Sequence, residues 1–219
     1  MKKAEITVQL IDYMGSDVSV VNAARISFDK IKDEFDEQDE RLVNYLAEHN
    51  HWSPFAHTSI QVRVKAPFAL ARQLGKHQVG LVWNEVSRRY VSSEPEFWFP
   101  EEVHRAPVNA KQGAGNVHEW SGSAVGSMVN STRDTLGLYE NLIISGVAPE
   151  EARLVLPMNT MTEWMWTGSV MAFARVYNQR RTKDAQGFAN EFTEKLAECI
   201  KEHYPVCWNY LIRNNYETY

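Results

Sequence analysis

A chain of 219 residues with 44% hydrophobic and 23% charged residues can fold around one buried core, which excludes an intrinsically disordered protein. The net charge of −5 gives no overall attraction to nucleic acid, so an anionic ligand has to be captured locally. The two cysteines form no CxxC motif, and the first residues lack the apolar segment of a signal peptide or membrane span. We expect a single domain over residues 1–219 in a cytoplasmic setting.

The first part of the chain shows strand and helix patterns in turn. Residues 5–14 and 57–67 alternate apolar and polar side chains, which predicts two strands. In the second strand, Ile60, Val62 and Val64 are expected to share one face. Helices are predicted over residues 16–27, 36–51 and 67–80, the last opened by a proline in the favoured first turn.

The remaining segments complete the pattern. Residues 83–93 are predicted to be extended or a loop, and residues 93–116 are rich in proline and glycine, which favours a surface excursion. Helices are predicted over 117–144 (ended by Gly146), 148–157, 169–181 and 185–205, with a strand over 159–168. These elements indicate an α+β fold with a central antiparallel sheet packed against helices.

Side chains that could bind an anion collect between residues 73 and 89. Gln73, Lys76 and His77 are spaced to share one face of the predicted helix. Beyond it lie Glu85, Ser87, Arg88 and Arg89, and paired arginines can grip a phosphate. Gly75 and Gly80 are unfavourable within a helix, which suggests a local break or a close backbone approach. An ordinary solvated polar face remains the alternative.

Three further candidates are ambiguous from the residues alone. His49, His51 and His57 match no zinc pattern, so no metal site is expected, and a histidine here could instead stack on a flat cofactor. Arg153 could simply pack its aliphatic stem on apolar neighbours. Arg180, at a predicted helix end, could simply complement the helix dipole. No P-loop, GxSxG or GxGxxG motif is present.

Taken together and in order, several short segments carry a resemblance to one family. They are AARISFD (23–29), HWSPFAH (51–57), VKAPFALARQ (64–73), NEVSRRY (84–90), SGVAPEEARLVLPMN (145–159) and RRTKDAQ (180–186). The ordered set resembles the flavin-dependent thymidylate synthases. Only the stretch from Glu96 to Ala124 has no counterpart in that resemblance.

The resemblance implies a fold, a reaction and an assembly. The fold is an antiparallel sheet with helices, assembled as a homotetramer with active sites between subunits, and no nucleic acid or membrane partner is expected. The reaction is reductive methylation of dUMP to dTMP. Methylenetetrahydrofolate supplies the carbon and leaves as tetrahydrofolate, while FAD reduced by NADPH supplies the hydride. No cysteine nucleophile is required.

The resemblance also assigns site residues. Arg180 is the expected catalytic residue, polarising the pyrimidine, and Ser87 is expected to bind dUMP rather than attack it. The expected dUMP contacts are Gln73, Lys76, Glu85, Ser87, Arg88, Arg89, Arg153 and Arg180, with Arg89 and Arg153 as the phosphate partners. The expected FAD contacts are Ser27, His51, Ser53, Lys76, His77, Gln78, Glu85, Ser169, Met171 and Arg175.

This chain departs from the family patterns at two points, and at the later one the family's Asn-x-Arg followed by Asn is here Ser169-Val170-Met171 followed by Arg175. At the earlier one, the family pattern is Arg-His-Arg, seven residues, then Ser; here the triplet is Lys76-His77-Gln78, and eight residues separate it from Ser87. Lysine cannot reproduce a bidentate guanidinium fork. We hypothesise that Arg175 compensates for the lost charge, and that a bulge or loop near Gly80 absorbs the extra residue. Two alternatives stay open: a diverged homologue that binds nucleotide or flavin but methylates poorly, and an interaction protein with an unrelated pocket.

Overall fold

The fold is built on a four-stranded antiparallel sheet with helices packed against it, as predicted. The computed structural model describes residues 1–91, 93–107, 114–181 and 187–213. The strands are β1 (Lys2–Lys3), β2 (Thr7–Met14), β3 (Ser59–Pro67), β4 (Leu81–Glu85), β5 (Glu96–Phe97) and β6 (Met161–Gly168). The α-helices are α1 (Asp17–Arg25), α2 (Glu37–Glu48), α3 (Trp52–Ala56), α4 (Phe68–Leu74), α5 (Ser121–Ile144), α6 (Pro149–Ala152), α7 (Val170–Arg180), α8 (Gly187–Lys201) and α9 (Pro205–Arg213). Short 3-10 segments follow α1 and α6, at Ile26–Phe28 and Arg153–Val155.

The main sheet has the strand order β2-β3-β6-β4, while β1 and β5 form a separate two-residue parallel pair. Ile60, Val62 and Val64 of β3 are at most 1% exposed, which confirms the face predicted for them. Trp164 and Trp166 of β6 are equally buried, and each large apolar side chain removed from water contributes roughly 1.5–3 kcal/mol. This core holds the sheet in place, and β4 forms one of its edges.

The helix predicted over residues 67–80 ends at Leu74, so that prediction is wrong in its second half. Lys76 and His77 therefore lie in the connection to β4, and Gln73 shares no helical face with them. The break suggested by the two glycines is real, because Gly75 is the C-cap of α4, and Gly80 has φ +72°, a conformation that favours glycine. The hypothesis of a loop near Gly80 stays a prediction, although residues 75–80 do lie outside both α4 and β4.

Other boundaries shift for local reasons. Helix α5 begins at Ser121 rather than 117, because Val117 pairs with His104 in a β-bridge of the surface excursion. Gly146 follows α5 with φ +82°, as expected for a helix stop. The helix predicted to run to residue 205 ends at Lys201, and α9 follows. Most of the RRTKDAQ segment and the tip of the excursion fall outside the described residues. No helix in the described ranges is long and apolar enough to cross a membrane.

Candidate active site

Arg180, the last residue of α7, is held by two contacts. Its Nε donates a hydrogen bond to Nε2 of His77 at 2.9 Å, and its Nη2 donates to the backbone oxygen of Gln73 at 3.0 Å. Both side chains are half-buried. Burial lowers the pKa of Arg180, although an arginine stays charged at neutral pH. The contacts join the end of α7 to the end of α4 and fix the direction of the guanidinium.

The electrostatic state of His77 follows from the same contact. Burial, together with the charge of Arg180, lowers the pKa of His77 to about 4. The imidazole is therefore neutral at physiological pH, and it places no second positive charge beside Arg180.

This depressed pKa makes the stability of the protein depend on pH. Because the unfolded histidine has a pKa of 6.5, the unfolded chain takes up the proton first as the pH falls. The contribution of His77 is fully present above pH 6.5 and is lost as the pH falls towards about 4. In the unsubstituted protein this histidine makes the free energy of unfolding fall over that interval. We expect the fall to be smaller in His77→Gln by about 1–2 kcal/mol, after allowance for solvent screening. Urea unfolding at several pH values measures it, with the exposed His57→Gln as control; identical pH slopes for the three proteins would contradict it.

Ser87 lies where two guanidinium groups approach each other. Its Oγ accepts from Arg89 Nε at 3.4 Å and from Arg153 Nη1 at 3.5 Å, and these long hydrogen bonds are weak. Arg153 reaches this point from the 3-10 segment after α6, where its Nε also donates to the backbone oxygen of Glu150. Neither arginine pairs with a carboxylate among the described residues. Two unneutralised forks beside a hydroxyl make a site that a phosphate group fits.

A cleft of about 660 Å³ lies beside these groups, between α4, β4 and the 3-10 segment that carries Arg153. His77, Gln78, Glu85 and Arg153 all line it, so the structure brings together four predicted site residues from separate parts of the chain. Phe68, Leu81, Trp83, Leu154 and Met158 give the cleft an apolar surface on which a ring can lie.

Glu85, the last residue of β4, has a partner that the sequence did not reveal. Its Oε1 accepts a hydrogen bond of 2.6 Å from the hydroxyl of Thr162, a buried residue of β6. In the sequence, Thr162 is an ordinary strand former within a β pattern, so no local signal separates it from its neighbours. Arg72, which also lines the cleft, was likewise missed.

The residues predicted to contact FAD fall into two groups. The first group, Lys76, His77, Gln78 and Glu85, lies at or near the cleft. The second lies where α1, α3 and α7 pack together: Ser27, His51, Ser53, Ser169, Met171 and Arg175. Residues 75–80 lie between the two groups. Their last residue, Gly80, packs closely against Gly168 at the end of β6, where an added Cβ would come within 2.8 Å of the Gly80 carbonyl oxygen. A Cβ at Gly80 would lie 3.4 Å from the Cβ of Ala172, so the turn that carries Gln78 lies beside the first turn of α7.

The second group offers surfaces of two kinds. Tyr45 and His49 stack with ring centroids 4.0 Å apart, and Tyr45 meets the ring of His51 edge-on at 5.8 Å, on an exposed surface. A flat cofactor can lie against such rings. Arg175 is exposed and forms no ion pair with any described residue, so its charge is available for an anion.

Three predicted site residues have placements that favour their roles less. Met171 packs into the hydrophobic core, so its side chain offers little surface to a flavin. Ser169 caps α7 by accepting from the backbone N–H of Ala172. Arg88 donates to the backbone oxygen of Ser93 and lines neighbouring cavities rather than the cleft. Their ligand contacts stay predictions.

The fold is α+β, and arginines that no described carboxylate neutralises lie beside an apolar cleft, the two features that binding of a phosphorylated ring compound requires. A family model described as "Thymidylate synthase complementing protein" matches residues 9–206. Flavin-dependent thymidylate synthases from Thermosipho melanesiensis and Thermotoga neapolitana are 36% and 35% identical to this chain over 211 residues each. These alignments cover 95% and 96% of this chain and 91% and 92% of the two relatives. The chain belongs to the flavin-dependent thymidylate synthase family.

A solved structure agrees with this assignment. The UMP/dUMP methylase PolB from Streptomyces cacaoi, bound with 5-Br dUMP, superimposes with a TM-score of 0.86 and 26% sequence identity. The match covers 98% of each chain. A second structure of PolB, bound with 5-Br UMP, matches with the same TM-score.

Proposed function

We propose that this protein catalyses the reductive methylation of dUMP to dTMP. Methylenetetrahydrofolate donates the carbon, and FAD, reduced by NADPH, supplies the hydride when bound. The observation that carries the proposal is the convergence of Arg89 and Arg153 on Ser87 beside a ring-sized cleft, with Arg180 fixed nearby. A nucleoside monophosphate needs these two features together: an anion grip and a surface for its base.

The side chains divide the work on the nucleotide. Arg89 and Arg153 bind the phosphate with Ser87, and Gln73, Lys76, Glu85 and Arg88 complete the dUMP contacts. Arg180 lies against the pyrimidine and stabilises the negative charge that develops at its N3–C4 side. A fixed guanidinium in a water-poor site is suited to that role, because its orientation costs nothing at the moment of reaction.

The cysteines support a mechanism without a thiolate nucleophile. Burial raises the pKa of both Cys199 and Cys207, so both thiols stay protonated at neutral pH. Neither thiol lines the cleft. We assign activation of the pyrimidine to Arg180, as the family resemblance implies.

The flavin is proposed to span the two groups of predicted contacts. The exposed rings near His51 suit a flat heterocycle, and the exposed cations Lys76 and Arg175 suit its diphosphate. Because many of these residues are exposed in one chain, a homotetramer with active sites between subunits completes the enclosure. We place this assembly in the cytoplasm.

Purified protein tests the proposal directly. It should be yellow, dUMP should change its rate of NADPH oxidation, and dTMP should be released only when methylenetetrahydrofolate is present. UMP belongs in a parallel assay, because the name of PolB includes both nucleotides. A colourless protein that binds no added FAD contradicts the proposal. A yellow protein that releases no methylated nucleotide supports the alternative of a diverged homologue that binds nucleotide or flavin but methylates poorly. The reason for considering that alternative is the altered Lys76-His77-Gln78 triplet.

Arg175 tests the proposed compensation for that triplet. We expect Arg175→Ala to weaken FAD binding by about tenfold or more, because an unpaired cation beside a diphosphate contributes a charge-assisted hydrogen bond. Arg181→Ala is the matched control, since Arg181 already pairs with Glu194 at 2.6 Å. Titration of the apoprotein with FAD measures both affinities. Equal losses in the two variants would rule out the compensation.

Thr162 tests whether the orientation of Glu85 matters. Thr162→Val keeps the shape of the side chain but removes the hydroxyl that donates to the Glu85 carboxylate. We expect the Kd for dUMP to rise about tenfold, the typical value of a hydrogen bond to a charged group. Thr162→Ser, which restores the donor, should recover most of the affinity. Calorimetry measures the three values, and equal affinities for the Val and Ser variants would exclude this role.

A further inference from the structure

The contact between Arg180 and His77 determines where the imidazole carries its proton. A guanidinium has only N–H donors and no acceptor, so the partner atom must supply a lone pair. That atom is Nε2 of His77, 2.9 Å from Arg180 Nε. Nε2 is therefore unprotonated, and the single proton of the neutral ring resides on Nδ1.

The two contacts on Arg180 also determine which edge of its guanidinium is occupied. His77 Nε2 and the Gln73 backbone oxygen take the side edge formed by Nε and Nη2. The N–H groups of the opposite end, on Nη1 and the outer side of Nη2, stay directed away from these partners. A guanidinium fixed along one edge can present the other edge to a planar ligand without losing torsional freedom on binding.

We infer that His77 is a positioning residue: as the Nδ1–H tautomer it holds Arg180 so that the end edge of the guanidinium faces the substrate base. The catalytic consequence rests on the proposed function, whereas the tautomer does not. The low pKa of His77 agrees with this, because a protonated ring could not accept from Arg180. Three charged side chains line the cleft together with the neutral His77: Arg72, Glu85 and Arg153.

The tautomer can be measured without turnover. In holoenzyme labelled with ¹⁵N-histidine at neutral pH, the ring signals of His77, assigned by their absence in His77→Gln, should show a lone-pair nitrogen at Nε2 and a protonated nitrogen at Nδ1. A protonated Nε2, either as the other tautomer or as imidazolium, overturns the inference. This readout decides the geometry even if the protein releases no dTMP, so it separates failure of the inference from failure of the proposed function.

Two variants test the effect on catalysis. His77→Phe keeps a ring but removes the acceptor, whereas Gln can place its Oε1 close to the position of Nε2. We expect His77→Phe to lower kcat per bound flavin by about 10- to 100-fold, the range for losing a hydrogen bond to a charged group. His77→Gln should recover about tenfold of that loss, with the KM for dUMP changing less than kcat in both. Visible absorbance corrects for flavin content. Equal kcat losses in the two variants, or an unchanged kcat in His77→Phe, would refute the positioning role. If His77→Phe does not fold, the ring-nitrogen signals of the unsubstituted enzyme decide whether His77 accepts from Arg180.

Discussion

Replacing Arg180 with alanine is expected to lower dTMP formation by about 10²- to 10³-fold while leaving FAD bound. The substitution removes the guanidinium proposed to stabilise charge on the pyrimidine, and loss of one such donor typically costs about 10²- to 10³-fold in kcat. It also removes the hydrogen bonds that Arg180 donates to Nε2 of His77 and to the Gln73 carbonyl. Product formation under single-turnover conditions, measured with the visible flavin spectrum, separates lost chemistry from lost cofactor.

Two further variants sharpen this test. Arg181→Ala, one residue along the chain, removes a half-buried cation that pairs with Glu194 and should change turnover little. Arg180→Lys keeps the charge but cannot bind Nε2 of His77 and the Gln73 carbonyl as a planar fork, so its activity should stay close to that of the alanine variant. If Arg180→Ala retains most of its turnover, the catalytic assignment is wrong. If lysine restores activity, charge alone is sufficient and the geometry is unimportant.

The sequence predicts best where one local rule dominates. The alternation of Ile60, Val62 and Val64 and the stop at Gly146 each follow from a few adjacent residues. The end of α4 was predicted less well, because Gly75 only weakens a helix, and the turn depends on how Gly80 packs against α7. Local propensity cannot decide between those outcomes, since tertiary contact supplies the deciding energy.

The candidate site shows the same limit more sharply. Ser87 and Arg153 are 66 residues apart in the chain, and no spacing rule brings them together; the family resemblance grouped them. The contact of Arg180 with His77, across 103 residues, and that of Thr162 with Glu85, across 77, appear in neither the spacing nor the resemblance. They depend on strand register and helix packing, which a single sequence does not specify.

The second large effect is expected at Arg89 and Arg153, the proposed phosphate-binding residues. Arg153→Ala should raise the Kd for dUMP by about 10- to 100-fold, because it removes the charge-assisted bond of a guanidinium that no carboxylate among the described residues neutralises. Arg89→Ala should act in the same direction. Since both guanidiniums approach the Ser87 hydroxyl, the double variant should show a non-additive loss.

Deoxyuridine provides the decisive control, because it keeps the base and sugar but lacks the phosphate. If Arg153 binds the phosphate, Arg153→Ala should weaken dUMP binding and leave deoxyuridine binding almost unchanged. The dUMP affinity of the unsubstituted protein should fall with rising salt, and that dependence should be shallower in the variant, since screened charge pairs contribute it. Calorimetric titration of both proteins with both ligands at two salt concentrations measures these affinities and their salt dependence. An equal loss for deoxyuridine would show that Arg153 contacts the nucleoside or supports the cleft wall, and the phosphate would then have to be assigned to Arg89 and its neighbours.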